Sequence, residues 1–178
     1  MVLGNKEIEK MCLKNNMIEP FYPKYIQPNS IDIHLGSGFL IQRAQWQPLE
    51  FDKEIEYLKI DKDEYILQSK CFCLGTTLEK INLPLGICAS VTGRSSVGRM
   101  GLAIHITAGH IDSGFSGNIT LELYNHSPSP VRLKTGVKIA QLLFYKSIGN
   151  TVGYGSKSDC KYQNQSEVIG SKSFLDYK

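Results

Sequence analysis

The residues most able to do chemistry concentrate in Thr92-Gly93-Arg94-Ser95-Ser96-Val97-Gly98-Arg99-Met100-Gly101. Glycines let a backbone approach a ligand closely, while hydroxyls, amides and guanidinium groups offer donors to phosphate oxygens. The chain has four arginines, and Arg94 and Arg99 fall five residues apart in this one segment. Such a run suits a triphosphate; a Gly/Ser turn with solvated arginines is the plainer alternative. The segment lacks the G-x-x-x-x-G-K-[ST] spacing of a Walker loop. Ser96-Val97 after Gly93-x-Ser95 also departs from a nucleophile elbow.

A second group follows in Thr107-Ala108-Gly109-His110-Ile111-Asp112-Ser113-Gly114-Phe115-Ser116-Gly117, a turn-rich connection in which Asp112 precedes the φ-tolerant pair Ser113-Gly114. It leads into Asn118-Ile119-Thr120-Leu121-Glu122-Leu123-Tyr124-Asn125. A period of two puts Ile119, Leu121 and Leu123 on an aliphatic face and Thr120, Glu122 and Tyr124 on the other. Glu122 therefore points away from the aliphatic face, and a solvated strand carboxylate is the ordinary reading of such a position. His34, His105, His110 and His126 show neither the helical pairing of a zinc hydrolase nor the zinc nucleobase-deaminase signature, so no zinc is expected.

The elements that must position these residues are mostly short strands. Ser30 to Gly36 alternates as a half-buried strand. Runs at Tyr65–Gln68, Phe72–Gly75, Ile87–Val91, Asn118–Tyr124, Val131–Leu133 and Lys138–Tyr145 recur between Gly, Pro, Asn and Ser. That spacing predicts an all-β sandwich or distorted barrel. Helical spacing of Ile8, Met11 and Cys12 predicts a short amphipathic helix ended by Asn15-Asn16, and Ser95 to Met100 could make a turn or two of helix. Beyond Ile148 the chain is polar and Gly-rich, too poor in apolar residues to form its own core, so residues 149–178 are expected to be a mobile tail.

Composition narrows the class. A chain of 178 residues fits one domain with a real core, and its net charge of +3 is too slight for a surface that coats nucleic acid. No run approaches the roughly 18 apolar residues of a membrane span, and the start is charged where a signal peptide is apolar, so a cytoplasmic protein is expected. Five cysteines without a C-x-x-C pair suggest reduced, mostly buried thiols, with Cys71 and Cys73 sharing one strand face in the core. No internal repeat or low-complexity block is present.

Together, Gln27-Pro28-Asn29-Ser30-Ile31-Asp32, Gly93 to Leu102, Thr107 to Phe115, Thr120 to Asn125 and Lys161-Tyr162-Gln163-Asn164-Gln165 resemble the dCTP deaminase family, relatives of the trimeric dUTPases. The likeness runs from about Gln27 to Gln165, with five motifs in the family's order. It implies a distorted jelly roll or β-barrel with short helices, assembled as a homotrimer that binds dCTP at its subunit interfaces. It also implies that Glu122 carries protons in place of zinc, that Ser95 and the Ala108 carbonyl orient the attacking water, and that Arg99 lies in the active site.

By the same resemblance Arg94, Ser95, Ser96, Val97, Gly98 and Arg99 cradle phosphates and Asp112 holds the sugar. Thr120, Leu121 and Glu122 lie beside the base, and Gln141, Tyr154, Lys161 and Gln165 contact the nucleotide. The tail closes as a lid, Mg²⁺ accompanies the triphosphate, and dTTP inhibits. The turn with Gly109 and His110 is similar to that of bifunctional members, which carry dUTP on to dUMP and diphosphate; His110 stands where those members have an aromatic Phe or Trp. An enzyme that stops at dUTP is the alternative. A pure dUTPase, a non-catalytic nucleotide-sensing trimer and a plain β-sandwich binding module are the other readings.

Overall fold

The structure, a computed structural model, describes residues 1–178. In chain order the elements are α1 (Asn5–Asn15), β1 (Ile18–Glu19), β2 (Ile26–Gln27), β3 (Ser30–His34), β4 (Phe39–Gln42), β5 (Tyr57–Ile60), β6 (Glu64–Leu67), β7 (Phe72–Asn82) and β8 (Ile87–Gly93). They continue with α2 (Ser95–Gly98), β9 (Leu102–Ala103), β10 (His110–Ile111), β11 (Ser116–Asn125), β12 (Val131–Lys134) and β13 (Lys138–Lys146). Six strands form one sheet, β5-β4-β7-β11-β9 with β1 added on β7, and five form a second, β10-β8-β13-β3-β2. A small ribbon pairs β12 with β6. Every pairing of named strands is antiparallel, giving the mainly β, distorted jelly-roll fold expected, though neither sheet closes into a barrel.

The core lies between the sheets and joins Ile31 and Ile33 of β3, Leu121 and Leu123 of β11, and Leu142 and Phe144 of β13. Ile8 and Cys12 bury the apolar stripe of α1, and Asn16 ends that helix in the left-handed conformation (φ 47°). Asn tolerates this conformation because its short polar side chain bonds locally. No helix is long and apolar enough to cross a membrane.

Alternation in β3 does not leave its polar residues half exposed: Asp32 and His34 are buried, as are Ile31 and Ile33 beside them. Each is buried because it is partnered. His34 Nδ1 lies 2.5 Å from Glu79 Oε1, and the His34 amide donates to Glu79 Oε2 at 2.9 Å. This pair ties one sheet to the other where the chain crosses between them, with Leu35 bridging to Thr77. It also explains why β7 runs on to Asn82, well past Gly75: the polar residues Thr76, Thr77 and Glu79 are buried and bonded rather than solvated.

The cysteines also differ from expectation. All five are free, but only Cys12 and Cys73 are buried; Cys88 and Cys160 are half-buried and Cys71 is exposed. β7 begins at Phe72, so Cys71 sits in the preceding turn, after Lys70 at φ 60°, and the same-face rule for strands does not reach it. Burial pushes the Cys12 and Cys73 thiols up to about 12. Since the thiolate is the reactive form, a disulfide reagent at about pH 8 should modify Cys71 in a fast phase that Cys71→Ser removes, with Cys12 and Cys73 reacting only after denaturation. Fast labelling of either buried thiol in the native protein would contradict this packing.

Candidate active site

Glu122 sits on β11 opposite Leu74 of β7 and faces a cavity of about 390 Å³. Its setting depends on the connection from β9 to β10, which leaves the six-stranded sheet, passes over Glu122 and joins the five-stranded sheet. As it passes, the amides of Ile106 and Thr107 both donate to Glu122 Oε2, at 2.8 and 3.0 Å. Two charge-assisted hydrogen bonds on one oxygen fix the carboxylate's orientation. They leave Oε1, which has no bond to the chain, as the free acceptor.

The next residues complete that wall. Ala108 lines the cavity, and Gly109 lies so close to His105 that a Cβ there would stand 2.8 Å from His105 Cε1 and 2.9 Å from the Val91 carbonyl oxygen. Glycine is thus required by close approach rather than by a positive φ. The Gly109 carbonyl accepts from the Val91 amide at 2.7 Å, locking the connection onto β8. His110 and Asp112 also face the cavity, with His110 Nε2 3.3 Å from Asp112 Oδ1.

Thr120, Tyr154 and Gln165 join Glu122, Ala108, His110 and Asp112 in the lining. The Thr120 hydroxyl accepts from the Ile169 amide at 3.3 Å. The Tyr154 ring packs against Phe115 with centroids 5.8 Å apart, and its hydroxyl accepts from the amides of Lys161 and Tyr162. Leu121 is fully buried in the core and lies outside the lining. Lys161 is absent from the lining; its ammonium bonds to Asp176.

Arg94, Ser95, Ser96, Val97, Gly98, Arg99 and Gln141 also lie outside the lining. The first six form α2 and its two flanking residues, at the end of β8, and Val97 packs this turn against the core. Arg94 Nε stands 3.3 Å from Asp32 Oδ1, and Gln141 Nε2 donates to the same oxygen at 3.0 Å. Within one chain, then, the two halves of the expected site are built on different sheets.

Several cavity residues carry no motif signal. Tyr57 and Phe72 give aromatic walls, and Ile169 comes from the tail. His105 also lines the cavity, with a buried Nδ1 that has no hydrogen-bond partner. Ile119, expected on the aliphatic face, both touches the core and lines the cavity. A register shift explains it: between the pairs Asn118–Lys80 and Thr120–Thr76, three residues of β7 face one of β11, and such bulges re-aim neighbouring side chains. Thr77 Oγ1 accepts the Ile119 amide at 2.9 Å to hold the irregularity.

The polar tail folds back across this region. Gly117 and Gln165 form a parallel bridge, the Asn118 amide donates to the Gln165 carbonyl at 2.8 Å, and the Asn164 amide donates to the Ser116 carbonyl at 2.7 Å. The Gln165 side-chain amide donates to the Asn118 carbonyl, leaving its own buried Oε1 without a partner. Ser171 donates its amide to the Tyr57 hydroxyl at 3.2 Å. The tail is thus held by main-chain and side-chain bonds to β11 and its neighbours, and Val168 and Tyr154 pack it against the rest of the fold.

The chain belongs to the dCTP deaminase-like family, whose model matches residues 2–147. A protein named dCTP deaminase, dUMP-forming, from Coprothermobacter proteolyticus is 44% identical over 185 aligned residues, covering 99% of this chain and 98% of that protein. One of the same name from Dictyoglomus turgidum is 37% identical over 190 aligned residues, covering 99% and 97%. Among solved structures, the 2'-deoxycytidine 5'-triphosphate deaminase from Agrobacterium tumefaciens matches in fold with a TM-score of 0.66 at 21% identity. That match covers 82% of this chain, which spans 48% of the other.

Gly117 marks the point where tail and β11 come closest: its φ is 149°, and a Cβ would stand 2.9 Å from the Gln165 carbonyl oxygen. Gly117→Ala should release the tail while the sheets stay folded. Limited proteolysis should then cut residues 149–178 at least about tenfold faster, with a far smaller change in the main unfolding transition. Unchanged proteolysis would mean that this approach does not hold the tail.

Proposed function

We propose that this protein deaminates dCTP and then cleaves the resulting dUTP to dUMP and diphosphate, with Glu122 as the proton carrier of the first step. The observation that carries the reading is the Glu122 carboxylate, fixed at one oxygen by the Ile106 and Thr107 amides and free at the other, inside the cavity. The names of the relatives, dCTP deaminase, dUMP-forming, support the pair of reactions.

Deamination needs water to add to C4 of cytosine while N3 gains a proton; the amino group then leaves as ammonia. Glu122 Oε1 takes one proton from the attacking water and passes it to N3, then takes the second from the new C4 hydroxyl and gives it to the departing nitrogen, so a single carboxyl group serves both directions. Ser95 and the Ala108 carbonyl orient the water, and Arg99 completes the reacting centre. Asp112 holds the sugar, and Thr120, the Leu121 main chain and Tyr154 flank the base and sugar. General acid–base help contributes about 10²–10⁴-fold, against total accelerations of at least about 10⁶-fold. Positioning and exclusion of bulk water must supply the rest.

The second step adds water to the phosphate chain and breaks the link between the α- and β-phosphates, giving dUMP and diphosphate. The turn at Gly109 and His110 supports this step through its likeness to bifunctional members. Arg94, Ser96, Gly98, Gln141, Lys161 and Gln165 complete the nucleotide contacts. Because Arg94, Ser95, Arg99 and Gln141 lie outside the cavity that holds Glu122, the reading includes a homotrimer in which neighbouring copies complete each site. Residues 149–178 act as a lid that opens for exchange, dTTP acts as an inhibitor, and the protein works in the cytoplasm.

The donor set suits a metal that arrives with its ligand. No group of three or more His, Cys, Asp or Glu side chains is arranged to hold an ion, while guanidinium and amide donors gather at Asp32. Mg²⁺ would ride on the triphosphate and neutralise its charge, and deamination would need no zinc.

Glu122→Gln should lower kcat for ammonia release from dCTP by at least about 100-fold while the nucleotide still binds; undiminished deamination would sink the assignment. With dCTP and Mg²⁺, wild-type protein should yield ammonia and dUMP in equal amounts without a pool of dUTP. Accumulating dUTP would remove the second step and leave deamination standing.

A further inference from the structure

Asp32 is the least expected charge in the fold. Its side chain is 1% exposed on an inner strand of the five-stranded sheet, yet it is surrounded by donors. Arg94 Nε stands 3.3 Å from Oδ1, which accepts the Gln141 amide at 3.0 Å, while Lys138 Nζ stands 3.4 Å from Oδ2, a buried oxygen that accepts no hydrogen bond within the chain. Register brings them together: Gln141 pairs with Asp32 across β13 and β3, and with Thr92 across β13 and β8, two residues before Arg94. We propose that Asp32 is a positioning residue for the phosphate end of the nucleotide, acting by aiming the Arg94 guanidinium and the Gln141 amide. This rests on the reading above that Arg94 and Gln141 take phosphate oxygens.

The geometry favours aiming over simple charge balance. A guanidinium is a planar fork whose edges act independently. In Arg94 two of the three nitrogens are engaged, Nε facing Asp32 and Nη1 donating to the Lys138 carbonyl at 3.5 Å. Nη2 has no partner in the chain and is left for an incoming anion. A long flexible side chain held in advance loses less freedom when ligand arrives. Gln141 is held through the same Oδ1, so one carboxylate oxygen sets two donors at once. Lys138 is steadied by Asp32 and by the Tyr25 ring, 4.7 Å from its ammonium. One carboxylate between two cations leaves the cluster cationic, as a polyphosphate requires.

Steady-state kinetics with dCTP and Mg²⁺ on Asp32→Asn, Arg94→Ala and the double variant test the inference. Each single change should raise KM for dCTP by about 10- to 100-fold, with kcat within about threefold of wild type. Because Asp32 acts through Arg94, the double variant should be no more than about threefold worse than Arg94→Ala alone. Effects that multiply in the double variant, or an unchanged KM in Asp32→Asn, would overturn the role. An unchanged KM in Arg94→Ala would overturn the phosphate-end reading and this inference with it. Should Asp32→Asn fail to fold, the half-exposed Arg94→Lys decides. It keeps the charge but loses the Nε contact, so a KM close to that of Arg94→Ala is expected, and a wild-type KM would overturn the aiming role.

Discussion

Everything at the site depends on β11 having two usable faces. Leu121 and Leu123 are fixed in the core, and because side chains alternate strictly, Glu122 between them must project the other way. Burial of two leucines, each worth about 1.5–3 kcal/mol, thus pins the direction of a carboxylate that makes no apolar contribution. The connection from β9 to β10 then takes one oxygen of that carboxylate with two main-chain amides. A strand fixes where the group points, and a loop fixes how it is turned.

The same strand receives the tail. Residues beyond Ile148 take their order from main-chain bonds at Ser116 to Asn118, from the hydroxyls of Thr120 and Tyr57, and from the packing of Tyr154 and Val168. Glycine at 117 lets two backbones meet where a side chain would hold them apart. A segment held in this way opens at smaller cost than a packed strand.

Buried charge carries a different kind of information. His34 with Glu79, and Asp32 with Arg94, Lys138 and Gln141, sit where an alternating pattern calls for solvent. A buried charge is tolerated only with partners, so each marks a place where strands distant in sequence must meet in register. The first couples the two sheets; the second gathers Arg94, Lys138 and Gln141 around one carboxylate.

The sequence by itself determined the local elements and the family. Apolar periodicity was enough for α1 and for most longer strands, because a period of 3.6 or 2 is a local property of the chain. Five ordered motifs were enough for the fold class; Glu122, Ala108, Asp112, Thr120 and Gln165, which lie within them, and Tyr154, which lies outside them, line one cavity. Tertiary structure alone decided the rest. Tyr57, Phe72, His105 and Ile169 reach the cavity through sheet order, a close approach at Gly109 and the returning tail, none of which leaves a periodic trace. The bulge opposite Ile119 shifts that residue into the lining, and the burial of Asp32 and the exposure of Cys71 follow from contacts and strand ends. Pattern gives the face on which a residue lies; what that face meets is set by segments far away along the chain.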